Sequence, residues 1–258
     1  EFETNATLAV VGSGPAGLAV AERMRSLGHD ITVFEAWPKG GGVIRYGIPN
    51  FKSAKNILDE KLAALEKAGI KFKFCVRVGV DISWDVLDKF DAVFLSHGAG
   101  LCKSLKMQGE EANGVYTATE FLVQANLPPS DLPTKMNSRI DIGKNVVVVG
   151  GGDTSMDCVR SALRLGASKV TLLYRRTEHE MIGREEERRH AREEGVNFEY
   201  LTTPVAIIQD DHVIRGVECV RMELGELDES GRRTPTQIQG SEFIIDADSL
   251  IVAVGYDV

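Results

Sequence analysis

The sequence LAVVGSGPAG, at residues 8–17, decides the fold of this chain. Residues 8–11 are apolar and predict a short buried strand, which runs directly into the pattern G-x-G-x-x-G at residues 12–17. A helix is predicted over residues 15–27, and Gly28 is typical of the residue that ends one. A glycine pattern placed between a strand and a helix predicts a turn that binds the phosphates of a dinucleotide.

Each glycine of this first motif has a separate physical task. Gly12 permits the tight turn, Gly14 lets a pyrophosphate approach the backbone, and Gly17 allows the helix to pack closely on the strand. The next predicted strand, residues 31–35, ends in Glu35, at about the position of a ribose-binding acid. The complete order therefore predicts a dinucleotide-binding unit rather than a simple turn.

The same order of elements returns in the second half of the chain. GGGDTS, at residues 150–155, fits G-x-G-x-x-S. It lies between predicted strands over residues 146–149 and 170–174, with a helix over 153–165. The distance between the copies is too long for a solenoid, so the repeat indicates two domains of one type.

The second copy differs from the first at the end of its second strand. Arg175 and Arg176 stand where the first copy has its acid. Guanidinium groups bind a 2′-phosphate in a bidentate manner. The second site is therefore expected to prefer NADPH to NADH.

The remaining pattern indicates an α/β fold with two Rossmann-like domains. Apolar strands at residues 72–76 and 92–95, separated from the first motif by a helix at 53–68, predict a parallel sheet covered on both faces. Within residues 207–250, the stretch 213–224 alternates in polarity, residues 228–231 predict a turn and residues 243–245 are apolar, which together predict a small antiparallel β meander. Residues 126–141 are proline-rich and polar, as in a linker.

Composition and cysteine spacing exclude several other classes of protein. The formal net charge is −8, which argues against nucleic-acid binding, and no apolar run approaches the length of a membrane span. None of the four cysteines belongs to a Cys-x-x-Cys pair, which removes the usual basis for a metal site, an iron–sulfur cluster or a disulfide reductase of the thioredoxin reductase type. Scattered cysteines favour a reducing cytoplasm.

Four segments together resemble one family of flavin oxidoreductases. They are GSGPAG at 12–17, GGVIRYGIPNFK at 41–52, GGGDTSMD at 150–157 and YRR at 174–176. The chain resembles the small (beta) subunit of NADPH-dependent glutamate synthase from about residue 8 to residue 255. The same module occurs in the large subunit of the NADH-dependent ferredoxin:NADP oxidoreductase and in dihydropyrimidine dehydrogenase.

The resemblance implies which residues bind each cofactor. FAD is implied on the first domain and NADPH on the second. The implied FAD contacts are Gly12, Ser13, Gly14, Pro15, Ala16, Gly17, Glu35, Gly42, Val43, Ile48, Pro49, Val78, Gly98 and Gly255. The implied NADPH contacts are Gly151, Gly152, Asp153, Thr154, Arg175 and Arg176.

The resemblance also implies the domain order. Residues 1–106 are expected to form the first part of the FAD domain, and residues 107–249 an NADPH domain inserted into it. Residues 250–258 are expected to begin a return segment to the FAD domain. Family members continue beyond this point, so weak FAD retention is expected of the chain as it stands.

The implied reaction is hydride transfer from NADPH to FAD, followed by electron transfer to iron–sulfur clusters. Those clusters are expected in another domain or subunit, such as that of a larger synthase or dehydrogenase. The cofactors carry this chemistry, so no catalytic side chain is expected. The alternative is a non-catalytic dinucleotide-binding fragment without a complete FAD site. One departure from the family pattern is Met181-Ile182-Gly183, where Met-Pro-Gly is common.

Overall fold

The chain forms two compact units, and each draws on two stretches of the sequence. The computed structural model describes residues 4–133, 136, 140–229 and 231–257. The first unit lies within Glu1–Gly100 and Asn126–Ser138, and the second lies within Leu101–Ala125 and Arg139–Asp257. The chain therefore passes from the first unit to the second, returns, and ends its described part in the second.

The first unit is built on a parallel sheet with the strand order β3-β2-β1-β4. Its strands are β1 (Thr7–Val11), β2 (Asp30–Phe34), β3 (Lys71–Lys73) and β4 (Ala92–Leu95). Its helices are α1 (Pro15–Ser26), α2 (Val43–Tyr46) and α3 (Lys55–Lys67), with 3-10 turns at Trp84–Lys89 and Pro129–Asp131.

Apolar side chains at helical spacing pack α1 and α3 against one face of this sheet, and a second buried cluster around Leu87 covers the other face. Leu18 and Ala21 of α1 and Leu58, Leu62 and Leu65 of α3 are buried in one cluster with residues of β1 and β2. Both faces of β1 are covered, which explains why its sequence is an apolar run rather than an alternating one. The first glycine loop consequently starts from the middle of a packed sheet.

The second unit contains a five-stranded parallel sheet with the order β6-β14-β7-β8-β9. Its strands are β6 (Val115–Thr117), β7 (Asn145–Val149), β8 (Lys169–Tyr174), β9 (Asn197–Tyr200) and β14 (Ser249–Val252). Its helices are α4 (Ala118–Asn126), α5 (Asp153–Arg164) and α6 (Glu185–Glu193). A short antiparallel pair joins β5 (Leu101–Cys102) to β15 (Tyr256–Asp257).

Within the second unit, an antiparallel sheet packs against the parallel sheet. Its strands are β10 (Thr202–Asp210), β11 (Val213–Leu227), β12 (Arg233–Gln237) and β13 (Phe243–Asp246). The long strand β11 pairs with each of the other three. The predicted meander is thus confirmed.

The structure confirms the predicted α/β class and differs from the predicted boundaries. The first unit gives way to the second after Gly100 rather than after residue 106. Ser249–Val252 pairs with both β6 and β7 inside the second sheet, so this stretch completes the second unit instead of beginning a return segment. Across the described residues, none of the helices has the length and apolar character needed to cross a membrane.

Helices α5 and α6 are joined by a charged network, although the sequence of α6 suggests a fully solvated helix. The buried guanidinium of Arg160 donates to Glu187 Oε2 at 2.8 Å and to Glu194 Oε1 at 2.9 Å. Arg164 also donates to Glu194. Hydrogen bonding to Arg164, followed by that to Arg160, lowers the pKa of Glu194 to about 2. The pKa of the Glu194 carboxyl is lower in the folded protein than in the unfolded chain. Its ionised form therefore stabilises the second unit at pH values above the pKa that the carboxyl has when the chain is unfolded.

We expect Glu194→Gln to lower the free energy of unfolding by ~1–3 kcal/mol at pH 7, since a pKa shift is a stability difference and the site is partly open to solvent. The difference from the unsubstituted protein should shrink as the pH falls from about 5 toward 2, where the native carboxyl becomes protonated. Urea unfolding across this pH range measures it. Glu193→Gln, on the exposed face of α6, is the matched control. A loss that stays constant down to pH 2 would contradict the ionic origin.

Candidate functional site

The first glycine loop joins β1 to α1 by backbone contacts that side chains would prevent. A Cβ on Gly17 would overlap the Gly12 carbonyl oxygen, and one on Gly12 would lie 2.5 Å from the Ser96 carbonyl oxygen. Gly14 differs, because a Cβ there would meet no other protein atom within 4 Å. Gly14 is the N-cap of α1 and has an extended backbone, with a φ of −68° and a ψ of −179°. The contacts of the fold therefore do not account for the glycine at this position.

Glu35 lies against this loop, at the end of β2. Its Oε2 accepts a hydrogen bond from the Ser13 backbone N–H at 3.0 Å and another from the Ser13 hydroxyl, and its Oε1 accepts the Trp37 N–H at 2.9 Å. Glu35 and Ser13 are both buried. The Glu35 carboxylate thus fixes the conformation of the loop, and a contact with a ribose would be a second role for this residue.

A second loop closes on the first at Gly42. A Cβ on Gly42, which has a φ of +52°, would lie 2.7 Å from the Cα of Gly14. The Gly41 N–H donates to the Ser13 carbonyl at 3.0 Å. The predicted residues Gly14 and Gly42 are therefore brought together by the fold.

Two cations that the sequence analysis missed hold the segment after Gly42. Arg45 is only 2% exposed, donates from Nε to the Gly40 carbonyl at 2.6 Å, and pairs with Asp59. The Lys55 ammonium donates to the carbonyls of Ile44 and Ile48, each at 2.6 Å. The only signal for them in the sequence is their position within and just after the segment GGVIRYGIPNFK.

The other predicted residues of the first site occupy varied surroundings. Val43 is 61% exposed at the start of α2, and Pro49 is buried. Val78 is half-buried against the cluster that contains Phe34, and Gly98 is an exposed residue with a φ of +72° beyond β4. Gly255 belongs to the second unit, where its carbonyl accepts the Lys103 N–H at 2.9 Å.

The second glycine loop repeats this design with different neighbours. Gly150 has a φ of +147°, and a Cβ on Gly151 would overlap the ring of Tyr174. Gly152 is the extended N-cap of α5, and a Cβ there would come no closer than 3.8 Å, to the flexible end of Ile182. As at Gly14, packing does not account for the absence of a side chain. Asp153 and Thr154 follow as the first residues of α5.

The two predicted arginines of the second site are not equivalent. The side chain of Arg176 is only 5% exposed and forms an ion pair with Asp228 at 2.8 Å. It also donates from Nε to the Arg233 carbonyl at 2.7 Å. Arg176 therefore joins the end of β8 to the turn between β11 and β12. Arg175 is exposed, so a 2′-phosphate role is easier to assign to Arg175 than to its neighbour.

The described residues show no alternative centre of metal chemistry. No group of three or more His, Cys, Asp or Glu side chains among them is placed to hold a metal ion. Burial raises the pKa of Cys219 to about 12, and it also raises that of Cys158. These two thiols are therefore poor nucleophiles. The two glycine loops therefore remain the candidate sites.

Comparison with known proteins gives relatives of similar sequence that are longer than this chain. The NADPH-Fe(3+) oxidoreductase subunit beta of Geobacter sulfurreducens is 42% identical over 262 residues, covering 99% of this chain and 38% of that protein. The glutamate synthase [NADPH] small chain of Escherichia coli (strain K12) is 40% identical over 260 residues, covering 98% and 55% respectively. The predicted resemblance to glutamate synthase small subunits is confirmed.

A solved structure shows the same fold at lower sequence identity. Mycobacterium tuberculosis FprA in complex with NADPH superposes with a TM-score of 0.82 and 20% identity, covering 98% of this chain and 71% of that one. Residues 6–258 match the family described as pyridine nucleotide-disulphide oxidoreductase. The chain belongs to the pyridine nucleotide-disulphide oxidoreductase family.

Proposed function

We propose that this chain is the dinucleotide-binding core of a flavin oxidoreductase, with FAD on the first unit and NADPH on the second. The observation that carries the proposal is the pair of glycine loops in which Gly14 and Gly152 each leave space that no protein group needs. The family match and the relatives named for NADPH support the choice of cofactors. When bound, NADPH supplies a hydride and FAD accepts it.

The residues of each loop bind and orient rather than react. The backbone N–H groups at the start of α1 and α5, with the positive ends of the two helix dipoles, would hold the two pyrophosphates. Ser13 and Glu35 keep the first loop in shape, while Arg45 and Lys55 hold the segment predicted to lie along the flavin. No side chain of these sets needs to move a proton for the hydride step.

We further propose that the reduced flavin passes its electrons to an iron–sulfur domain or subunit. The relatives named as a subunit and a small chain support a partner protein. The site residues, the assignment of a cofactor to each unit and a cytoplasmic location are parts of the same proposal.

The direct test of the proposal is the visible absorption spectrum of the protein mixed with FAD and then with NADPH under anaerobic conditions. We expect a bound-flavin spectrum that bleaches on addition of NADPH. Gly14→Val should abolish both the bound spectrum and the bleaching. A protein that binds both nucleotides but leaves the flavin oxidised would instead be a binding module without turnover.

We expect Gly14→Val and Gly152→Val to remove one cofactor each. Both positions have extended backbone and room for a Cβ, so the fold should persist while the branched side chain fills the space of a pyrophosphate. Gly14→Val should weaken FAD binding at least ten-fold and spare NADPH, and Gly152→Val should do the reverse. Titration of each nucleotide measures this. Equal loss of both in either variant would contradict two separate sites.

We expect Arg175→Ala to weaken NADPH binding by ~1–2 kcal/mol, taking a charge-assisted bond at its usual strength and discounting for solvent exposure. NADH binding should not change. Arg176→Ala should chiefly lower the stability of the second unit, because it removes the buried guanidinium that pairs with Asp228. Calorimetric titration with each nucleotide, and thermal unfolding, separate the two effects. If Arg176→Ala lost more NADPH affinity than Arg175→Ala while its stability was unchanged, the 2′-phosphate contact would belong to Arg176 instead.

A further inference from the structure

A short segment crosses the second glycine loop and is fixed to it by its backbone. We name residues 181–184 the strap. The Gly183 N–H donates to the Gly151 carbonyl at 2.9 Å, and a Cβ on Gly183 would lie 3.1 Å from that oxygen. Met181, at the start of the strap, is buried in the core of the unit. The strap therefore has one position relative to the loop.

Arg184 ends the strap at the first residue of α5. Its backbone N–H donates to Asp153 Oδ1 and its Nε donates to Asp153 Oδ2, both at 2.8 Å. The Arg184 side chain is 67% exposed, and its Nη2 is 3.6 Å from Glu187 Oε1. A guanidinium has five N–H donors, so the bond from Nε leaves most of them available to a further acceptor.

The charges at this point are unbalanced once a dinucleotide binds. Asp153 places a carboxylate at the N-terminus of α5, where the helix dipole favours an anion. A pyrophosphate on the same N-terminus brings two more negative charges close to that carboxylate, and like charges at short range repel. The Asp153 carboxylate therefore repels the pyrophosphate that the N-terminus of α5 attracts, unless one cation interacts with both anions.

We propose that Arg184 is that cation: it binds the pyrophosphate of the nucleotide on the second unit, while the Asp153 carboxylate orients it and competes with the phosphate charge. This inference rests on the proposed function, which places a dinucleotide at this loop. The exposed pair of Arg184 with Asp153 is of the kind that contributes little stability alone. Sharing the guanidinium with a phosphate consequently costs the fold little.

The proposal predicts opposite effects for the two partners. Arg184→Ala should weaken NADPH and NADH about ten-fold each and by the same factor, since both nucleotides have the same pyrophosphate. Asp153→Asn should tighten both about three-fold or more, because it removes a like charge and retains an oxygen that accepts from Arg184. If the Arg184–Asp153 pair only held the strap in place, either substitution would break the pair and weaken nucleotide binding.

The test is a fluorescence titration of the protein and its variants with NADPH and with NADH. Arg189→Ala is the matched control, because Arg189 is an exposed arginine of α6 paired with Glu193, and it should change neither affinity. Weakened binding in both Arg184→Ala and Asp153→Asn, or no change in Arg184→Ala, would overturn the inference and leave the proposed function intact. An unsubstituted protein that binds neither nucleotide would overturn both.

Discussion

The structure depends on the tight turn that lets a helix begin after only three residues beyond a buried strand. In the first unit, the contact between Gly12 and Gly17 is too close for any Cβ at residue 17. In the second unit Ser155 takes the corresponding place, and its hydroxyl lies 3.4 Å from the Ala253 carbonyl oxygen. In both units the helix N-terminus lies at the loop, and a strand, loop and helix in this order are of the kind that binds phosphate groups.

The two loops reach the same shape by different side-chain interactions. In the first unit a buried carboxylate from β2, Glu35, accepts hydrogen bonds from the loop itself. In the second unit the loop is fixed from outside, by the Gly183 N–H and by the ring of Tyr174. The second arrangement has no carboxylate at the end of its second strand, where Arg175 and Arg176 follow β8 instead.

Much of the fold could be predicted because each element has a local cause. The glycine loops, the residues that end α1 and α5, and the antiparallel meander follow from patterns within a few residues. The boundary between the units could not be predicted, because the apolar sequence of residues 250–254 would suit a strand of either sheet. Only the pairing of β14 with β6 and β7 shows that this stretch belongs to the second unit, and strand pairing depends on residues far apart in the sequence.

The positions of the glycines in the candidate sites could be predicted from the sequence, but the partners of the charged side chains around them could not. Arg175 and Arg176 are identical in sequence terms, yet one is exposed and the other is paired with Asp228, which is 52 residues away. Asp153 and Arg184 are likewise 31 residues apart. A motif fixes where a phosphate can approach the backbone, but the partners that set the charge around it come from distant parts of the chain. The glycine loops are therefore readable from local sequence, whereas the surroundings of each charged side chain near them depend on contacts between distant residues.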